Sequence, residues 1–388
     1  MFQRAPYVRF RYDTFGGLAW KPRGLIYKIV SDQAMLLEIL QLPRRLDDVR
    51  EQLPEVDVEA ASRALVSNGL LTETSAAPVR GLETACALAR SRAAAAGTQT
   101  INKPFWAHIQ PFTFCNQRCI HCYCHGDSRQ SRLPLSLETW RSIVDKIVDF
   151  GVLEIYITGG ENFIVDEYFK LAEYVMASGC TTGLSTNAMH VPQRAIDFIV
   201  RNEITSVQVS LDGATSETND RIRGTPGAHV RSLRGIEALR RVTTPVLNMV
   251  VNRINCHEVE ALVRLGLQVG VSSFKFYPQK AVGRGVDCRD EALTADEWSR
   301  LRFDDLARAY GVAIESPSSN VACGSGYSGF AVNEEADVFP CIFGVHNSAT
   351  KIGNIMKDDL ESLWFMSPKL KMFRTLSCAQ PCTRCEAV

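Results

Sequence analysis

Apolar and polar positions change rhythm twice along the chain. Residues 7–12, Tyr-Val-Arg-Phe-Arg-Tyr, alternate apolar and polar, the period of a half-buried strand. Gly16-Gly17 reads as a turn, and Leu18-Ala19-Trp20 and Gly24 to Val30 as further strands. Ser31 or Asp32 is placed to cap a helix running to about Leu42, with Met35, Leu36, Ile39 and Leu40 on one face. Leu46–Leu53 and Val56–Asn68 follow as two more helices. A short sheet and then three small helices over residues 1–75 make a winged-helix-like α+β pattern. The Ala-, Thr- and Ser-rich stretch 76–103 reads as a linker, helical in part over 81–96.

From Phe105 the rhythm becomes strand, helix, strand. The strands are His108–Phe112, Val152–Thr158, Thr182–Thr186, Ser206–Leu211, Val246–Val251 and Ser273–Tyr277. The helices are one capped by Ser136, then Tyr168–Ser178, Ala195–Arg201, Val230–Arg240 and Val259–Val269. Strands separated by helices predict parallel βα units, so the fold class is α/β, with a partial (β/α)6 TIM-like barrel over 104–285. Sites in such barrels gather at the C-terminal ends of the strands. Residues 286–388, opening on a helical stretch Thr294–Tyr310, read as a small Cys-rich extension.

Composition narrows the classes. A chain of 388 residues that is 46% hydrophobic builds a real core and holds two or three domains. Lys+Arg and Asp+Glu both number 43, which argues against a broad basic nucleic-acid face. No run approaches a membrane span, and Met1–Trp20, with Arg4, Arg9 and Arg11, is no signal peptide. Thirteen cysteines without a secretion signal predict a reducing, cytoplasmic location and metal ligation rather than disulfides.

The chemistry concentrates at residues 112–124, Phe-Thr-Phe-Cys-Asn-Gln-Arg-Cys-Ile-His-Cys-Tyr-Cys. Cys115, Cys119 and Cys122 stand at CxxxCxxC spacing on the loop after the first barrel strand. Thiolates are the usual ligands of iron–sulfur cubes, and three of them leave one iron of a 4Fe–4S cluster open. A structural zinc is the alternative, with Cys124 or His121 as fourth ligand, and inert buried thiols are the other. Cys124 reads best as a small buried hydrophobe, and Cys86, Cys180, Cys256 and Cys288 as structural. A second set, Cys323, Cys341, Cys378, Cys382 and Cys385, ends in CxxC and suits a zinc or an auxiliary 4Fe–4S cluster.

The loop resembles that of the radical SAM enzymes. In that family the open iron is chelated by S-adenosylmethionine (SAM), which the reduced cluster cleaves to a 5′-deoxyadenosyl radical. The resemblance implies further site residues at successive strand ends. Gly159, Gly160 and Glu161 resemble the GGE motif that holds the SAM amino group, though Asn162 stands where the family usually has Pro. Ser185 and Asn187 match a Ser/Thr-x-Asn segment near the ribose and methionine. Ser210 resembles a residue on the SAM ribose or carboxylate, and Arg223 an arginine that pairs with the carboxylate. His121 reads as a donor beside the cluster ligands or as a satisfied core histidine, and Tyr277, Gln279, Lys280 and Arg284 as substrate-side groups or, more commonly for such residues, ordinary loop polars.

The C-terminal set looks like the family's auxiliary-cluster extension. The full form is called SPASM; five cysteines suit the shorter twitch form better, with Cys323, Cys341, Cys382 and Cys385 as ligands and Cys378 as an alternative. Residues 1–75 resemble the small peptide-recognition domain first met as the chaperone of pyrroloquinoline quinone biosynthesis, which takes a leader peptide as an added strand. Together these imply a peptide-modifying radical SAM enzyme with two 4Fe–4S clusters and SAM. Its expected partners are a ribosomally made precursor peptide and an external electron donor such as flavodoxin or ferredoxin, with no nucleic acid and no membrane. The expected product is an oxidative thioether or side-chain crosslink. A radical SAM dehydrogenase of a small-molecule alcohol is the alternative, and a DNA-binding iron–sulfur regulator a more distant one.

Overall fold

The computed structural model describes residues 1–5, 8–13, 16–20, 26–79, 82–97, 103–129, 133–317 and 325–375. Cys323, Cys378, Cys382 and Cys385 lie outside them. The chain divides into two units, Met1–Lys103 with Met176–Thr181, and Pro104–Val175 with Thr182–Val388.

The first unit holds strands β1 (Phe2–Arg4), β2 (Arg9–Asp13), β3 (Gly16–Trp20) and β4 (Ile26–Ile29). Helices α1 (Ser31–Ile39), α2 (Leu46–Gln52) and α3 (Val58–Ser67) follow, then β5 (Leu71–Glu73) and α4 (Leu82–Gly97). β2-β3-β4 is an antiparallel sheet, and β1 pairs with β5. Asp13 pairs with Gly16, so the two glycines open β3 instead of forming the turn that their identity suggests. Val30, not Ser31 or Asp32, is the N-cap of α1, and its N–H donates to Gln33 Oε1 at 3.1 Å. Leu36, Leu37 and Leu40 are buried against Val49, Leu65 and Leu70. Asp57 caps α3, accepting from the Ala60 N–H at 2.9 Å, an ordinary carboxylate cap.

The second unit contains the predicted alternation. Its strands are β6 (Trp106–Phe112), β7 (Glu154–Gly159), β8 (Leu184–Thr186), β9 (Ser206–Ser210), β10 (Thr244–Val251) and β11 (Ser273–Pro278). Between them run α5 (Leu137–Phe150), α6 (Asp166–Ala177), α7 (Gln193–Arg201), α8 (Ser216–Arg223), α9 (Ala228–Leu239) and α10 (Val259–Gln268). α5 shows why: Ser136 Oγ accepts from the Thr139 N–H at 3.1 Å, Trp140, Ile143, Val144 and Ile147 form one buried stripe, and Gly151 closes the helix at φ +99°. α8 escapes an apolar-period reading because its residues, Ser-Glu-Thr-Asn-Asp-Arg-Ile-Arg, are almost all polar.

The helix expected over 294–310 is two helices, α11 (Ala295–Ser299) and α12 (Phe303–Tyr310). Arg302, at φ +48°, breaks it. The break turns Phe303 onto Phe276, with ring centroids 5.0 Å apart. Beyond lie β12 (Ala313–Glu315), β13 (Gly329–Val332), β14 (Asp337–Phe339), β15 (Gly353–Asn354), α13 (Leu360–Met366) and α14 (Pro368–Thr375). β12 pairs parallel with β11, and β13 parallel with β6. The sheets run β12-β11-β10-β9-β8 and β15-β14-β13-β6-β7. Strands after residue 286 therefore cover both edges of the six-stranded run.

Candidate active site

β6 delivers the cysteine loop, and the loop folds back on itself. The Cys115 N–H donates to Asp127 O and the Asp127 N–H to Thr113 O, both at 3.2 Å. It rests on the end of β7: the Gly160 N–H donates to Phe112 O at 3.1 Å and the Glu161 N–H to Phe114 O at 2.9 Å. A Cβ on Gly160 would stand 1.9 Å from Phe114 O, and one on Gly159, at φ +124°, 2.0 Å from Phe112 O. The two glycines are thus required by the backbone of the loop itself. A Cβ on Gly126 would stand 3.2 Å from Cys115 Cβ and 3.7 Å from Cys122 Sγ, so two motif cysteines pack against one small residue.

Each motif sulfur has a donor. The Gly126 N–H points at Cys122 Sγ (3.3 Å), the Gln117 N–H at Cys115 Sγ (3.4 Å) and Arg223 Nη1 at Cys119 Sγ (3.7 Å). Burial pushes the Cys119 thiol up to about 11, and Arg223 works against that rise. Burial raises Cys115 as well. Ligation to iron requires thiolates, and the donors stabilise that form. No group of three or more His, Cys, Asp or Glu among the described residues is gathered for a single metal ion. Cys124 is buried and donates to Gly159 O at 3.1 Å, with its sulfur 3.6 Å from Cys122 Sγ.

Glu161, Ser185, Asn187 and Ser210, singled out in the sequence, sit at the C-terminal ends of the strands. Glu161, 3% exposed, accepts from Thr186 Oγ1 (2.5 Å), the Asn187 N–H (2.7 Å) and the Phe163 N–H (3.1 Å), tying the end of β7 to that of β8. Burial raises its pKa against the pull of those donors. Asn162, in place of proline, donates to Ser185 O at 3.1 Å across the gap between the two sheets. Asn187 donates to Asn116 Oδ1 in the cysteine loop at 2.7 Å. Ser210 ends β9, and Arg223 ends α8 with its guanidinium buried.

Two residues emerge only in three dimensions. Asp212, fully buried, accepts from the Val250 N–H (2.8 Å), faces Arg223 Nε (2.8 Å) and bonds His121 Nε2 (2.8 Å). Burial works against its charge, yet Arg223 and His121 hold its pKa low. Its place after an apolar strand, in Val-Ser-Leu-Asp-Gly, is the trace it leaves in the sequence. Arg284, which the sequence left between a substrate-side group and an ordinary loop polar, staples the cysteine loop, donating to Cys119 O (2.8 Å) and Gly126 O (2.9 Å). Gln279 is likewise structural: it accepts from Asn252 Nδ2 and donates to Cys288 O, both at 2.9 Å. Tyr277 donates to Glu315 Oε1 at 2.5 Å.

Residues 109–266 match the Radical SAM superfamily, and residues 323–386 match the Iron-sulfur cluster-binding domain known as SPASM. The chain is a radical SAM enzyme. The mycofactocin maturase MftC of Mycolicibacterium smegmatis is 26% identical over 288 residues, 70% of this chain and 72% of that protein. The antilisterial bacteriocin subtilosin biosynthesis protein AlbA of Bacillus subtilis is 24% identical, over 70% of this chain and 62% of its own length. Streptococcus suis SuiB bound to its precursor peptide SuiA superposes with a TM-score of 0.79 at 16% identity, covering 97% of this chain and 91% of that one. SuiB bound to S-adenosylmethionine superposes at 0.75. The cofactors of this radical SAM enzyme are accordingly SAM and 4Fe–4S clusters.

The SPASM region reaches the cysteine loop through Phe343, beside Cys341. The Cys341 sulfur accepts from the Phe343 N–H at 3.4 Å. Phe343 meets Tyr123, the residue after Cys122, edge to face at 5.8 Å. Tyr123 shares a 2.5 Å hydrogen bond with Thr158 Oγ1. Among the described residues no helix is long and apolar enough to cross a membrane.

Proposed function

We propose that this radical SAM enzyme modifies a ribosomally made precursor peptide whose leader is held by the N-terminal unit. The observation that carries the reading is the extent of the likeness to SuiB. At 97% of the chain, it cannot stop at the barrel and must run through residues 1–103. The curated relatives matched over 70% of the chain, a maturase and a bacteriocin biosynthesis protein, point the same way. The three-stranded sheet β2-β3-β4 has unpaired edges among the described residues, which is what strand addition of a leader needs.

Cys115, Cys119 and Cys122 are the proposed ligands of the SAM cluster. Cys323, Cys341, Cys382 and Cys385, with Cys378 as an alternative, are those of the auxiliary cluster. When bound, cluster and SAM supply the radical that abstracts hydrogen. The protein's share is orientation. With SAM bound, the Gly159–Gly160 backbone and Glu161 would hold the ammonium of the methionine, Ser185, Asn187 and Ser210 its ribose side, and Arg223 its carboxylate. Asp212 keeps Arg223 aimed. An external reductant of the flavodoxin or ferredoxin type completes the partners. The finer proposal is an oxidative product, a thioether or side-chain crosslink, and the SPASM region is its support.

Co-expression with a short peptide encoded beside the enzyme tests this by mass spectrometry. The expected result is loss of hydrogen mass from the peptide, abolished when residues 1–75 are deleted. Full turnover of a small alcohol by the deleted chain, with no peptide modified by the whole one, would overturn the reading.

A further inference from the structure

We propose that Gln110, Glu334 and His346 form a substrate subsite for a cationic N–H donor, an ammonium or guanidinium group of the molecule being modified. The peptide reading above enters only as the source of that cation.

The subsite begins with a fault in β6. Ile109 pairs with Ile157 and Phe112 with Gly159, so Gln110 and Pro111 together oppose Thr158. Such bulges re-aim a side chain and recur beside active sites. Gln110 is fully buried, and its Cγ lies 3.1 Å from where a Gly159 Cβ would be, hard against the Gly-Gly-Glu segment. Its Nε2 donates to Glu334 Oε2 at 2.8 Å and lies 3.1 Å from His346 Nε2. An ionised carboxylate only accepts, so the amide nitrogen is the end that faces Glu334. Its other hydrogen then goes to His346 Nε2, which makes that imidazole neutral with its proton on Nδ1. Both amide hydrogens are engaged, and Gln110 Oε1 is left buried without a donor.

Glu334 has a complementary deficit. Its recorded partner is that amide, and no Lys or Arg among the described residues pairs with it. Among the described residues, a carboxylate lacking a cation therefore lies beside a buried acceptor lacking a hydrogen. One ammonium or guanidinium remedies both, whereas a neutral amide would satisfy only Gln110 and an anion would be repelled. The rim of the subsite reaches solvent. His346 is exposed, and its ring meets that of exposed His125 edge to face at 5.7 Å. His125, at the exit of the cysteine loop, is held at φ +53°, a conformation that non-glycine residues adopt mainly where the surroundings enforce it. A cation seated here would fix which neighbouring carbon of the substrate lies beside the radical centre.

The test is fluorescence anisotropy on the anaerobically reconstituted enzyme with SAM. The probes are labelled hexapeptides with a central Lys, Arg, norleucine or Glu, and, separately, labelled lysine methylamide and its labelled norleucine counterpart, each titrated directly. Lys and Arg peptides should bind about tenfold tighter than norleucine, the effect of one charge-assisted hydrogen bond, and Glu weakest. Glu334→Gln should erase the preference, and Glu334→Lys should reverse it towards Glu, a gain that a misfolded variant does not show. Equal binding of all peptides, or a preference that persists in both variants, overturns the subsite while leaving the peptide reading intact. If only the lysine amide shows the preference and no peptide binds, the subsite stands and the peptide reading falls. A SAM affinity weakened about tenfold by Glu334→Gln would also overturn it, since the cation would then be that of SAM.

Discussion

The cysteine loop and the mouth beside Gln110 share one end of the barrel and are built on opposite plans. In the loop almost every polar group is matched within the chain. Backbone meets backbone at Gly159 and Gly160, Arg284 fills two loop carbonyls, and Asp212, Arg223 and His121 lock together in a buried cluster. Around Gln110, among the described residues, a buried oxygen has no donor and a carboxylate has no cation. Saturation suits a cofactor that is the same in every turnover. Unmet hydrogen-bonding capacity suits a partner that arrives, is changed and leaves.

That contrast ranks the effects of substitution. The largest belongs to Cys122→Ala, expected to remove about four irons per chain, one cluster, and SAM cleavage with them. Iron, labile sulfide and 5′-deoxyadenosine assays check it. Asp212→Asn keeps the shape and strips the charge from beneath Arg223. Groups that orient ligand-binding residues typically cost about 10- to 100-fold in affinity when lost, and a SAM titration should fall in that range with iron content little changed. If SAM binding were indifferent to Asp212, the view of a pre-tensioned cofactor side would fail. Gly160→Ala forces a Cβ against Phe114 O and should lower the urea midpoint by the equivalent of about 2 kcal/mol, along with cluster retention.

The smallest effect is one of pH. His108 lies between the rings of Trp106 and Tyr156, and burial pushes it down to about 4. A histidine depressed in the folded state contributes fully above its unfolded value of about 6.5. That contribution is lost as pH falls toward about 4, because the unfolded chain takes up the proton first. His108→Gln should therefore narrow the drop in melting temperature between pH 7 and pH 5, and an unchanged drop would place the acid sensitivity elsewhere.

What the sequence reveals follows the distance over which its physics acts. The helix under Ser136 and the glycines at 159 and 160 leave local signatures, a cap with a stripe and a Gly-Gly after a strand. Asn162 is visible as a departure, but its bond to Ser185 O is not. Asp212 looks like one more polar residue after a strand, because nothing local tells that it will be fully buried between Arg223 and His121. Gly16-Gly17 misleads since glycine is permitted in turns and strands alike, and pairing with Asp13 decides between them. Gln110 and Glu334 lie 224 positions apart. No periodicity bridges that separation, and their meeting depends on a parallel pairing that only the assembled sheet displays.

That pairing bears on how the enzyme is made. β6 emerges early from the ribosome, yet the edge it offers to β13 is filled only after residue 332 has been synthesised. Until then the strand that carries the cysteine loop has bare backbone on one side, a template for pairing with other nascent chains. Insertion of iron and sulfide thus belongs after synthesis of the C-terminal region, and a chain ended at 285 is expected to aggregate before it is ever metallated.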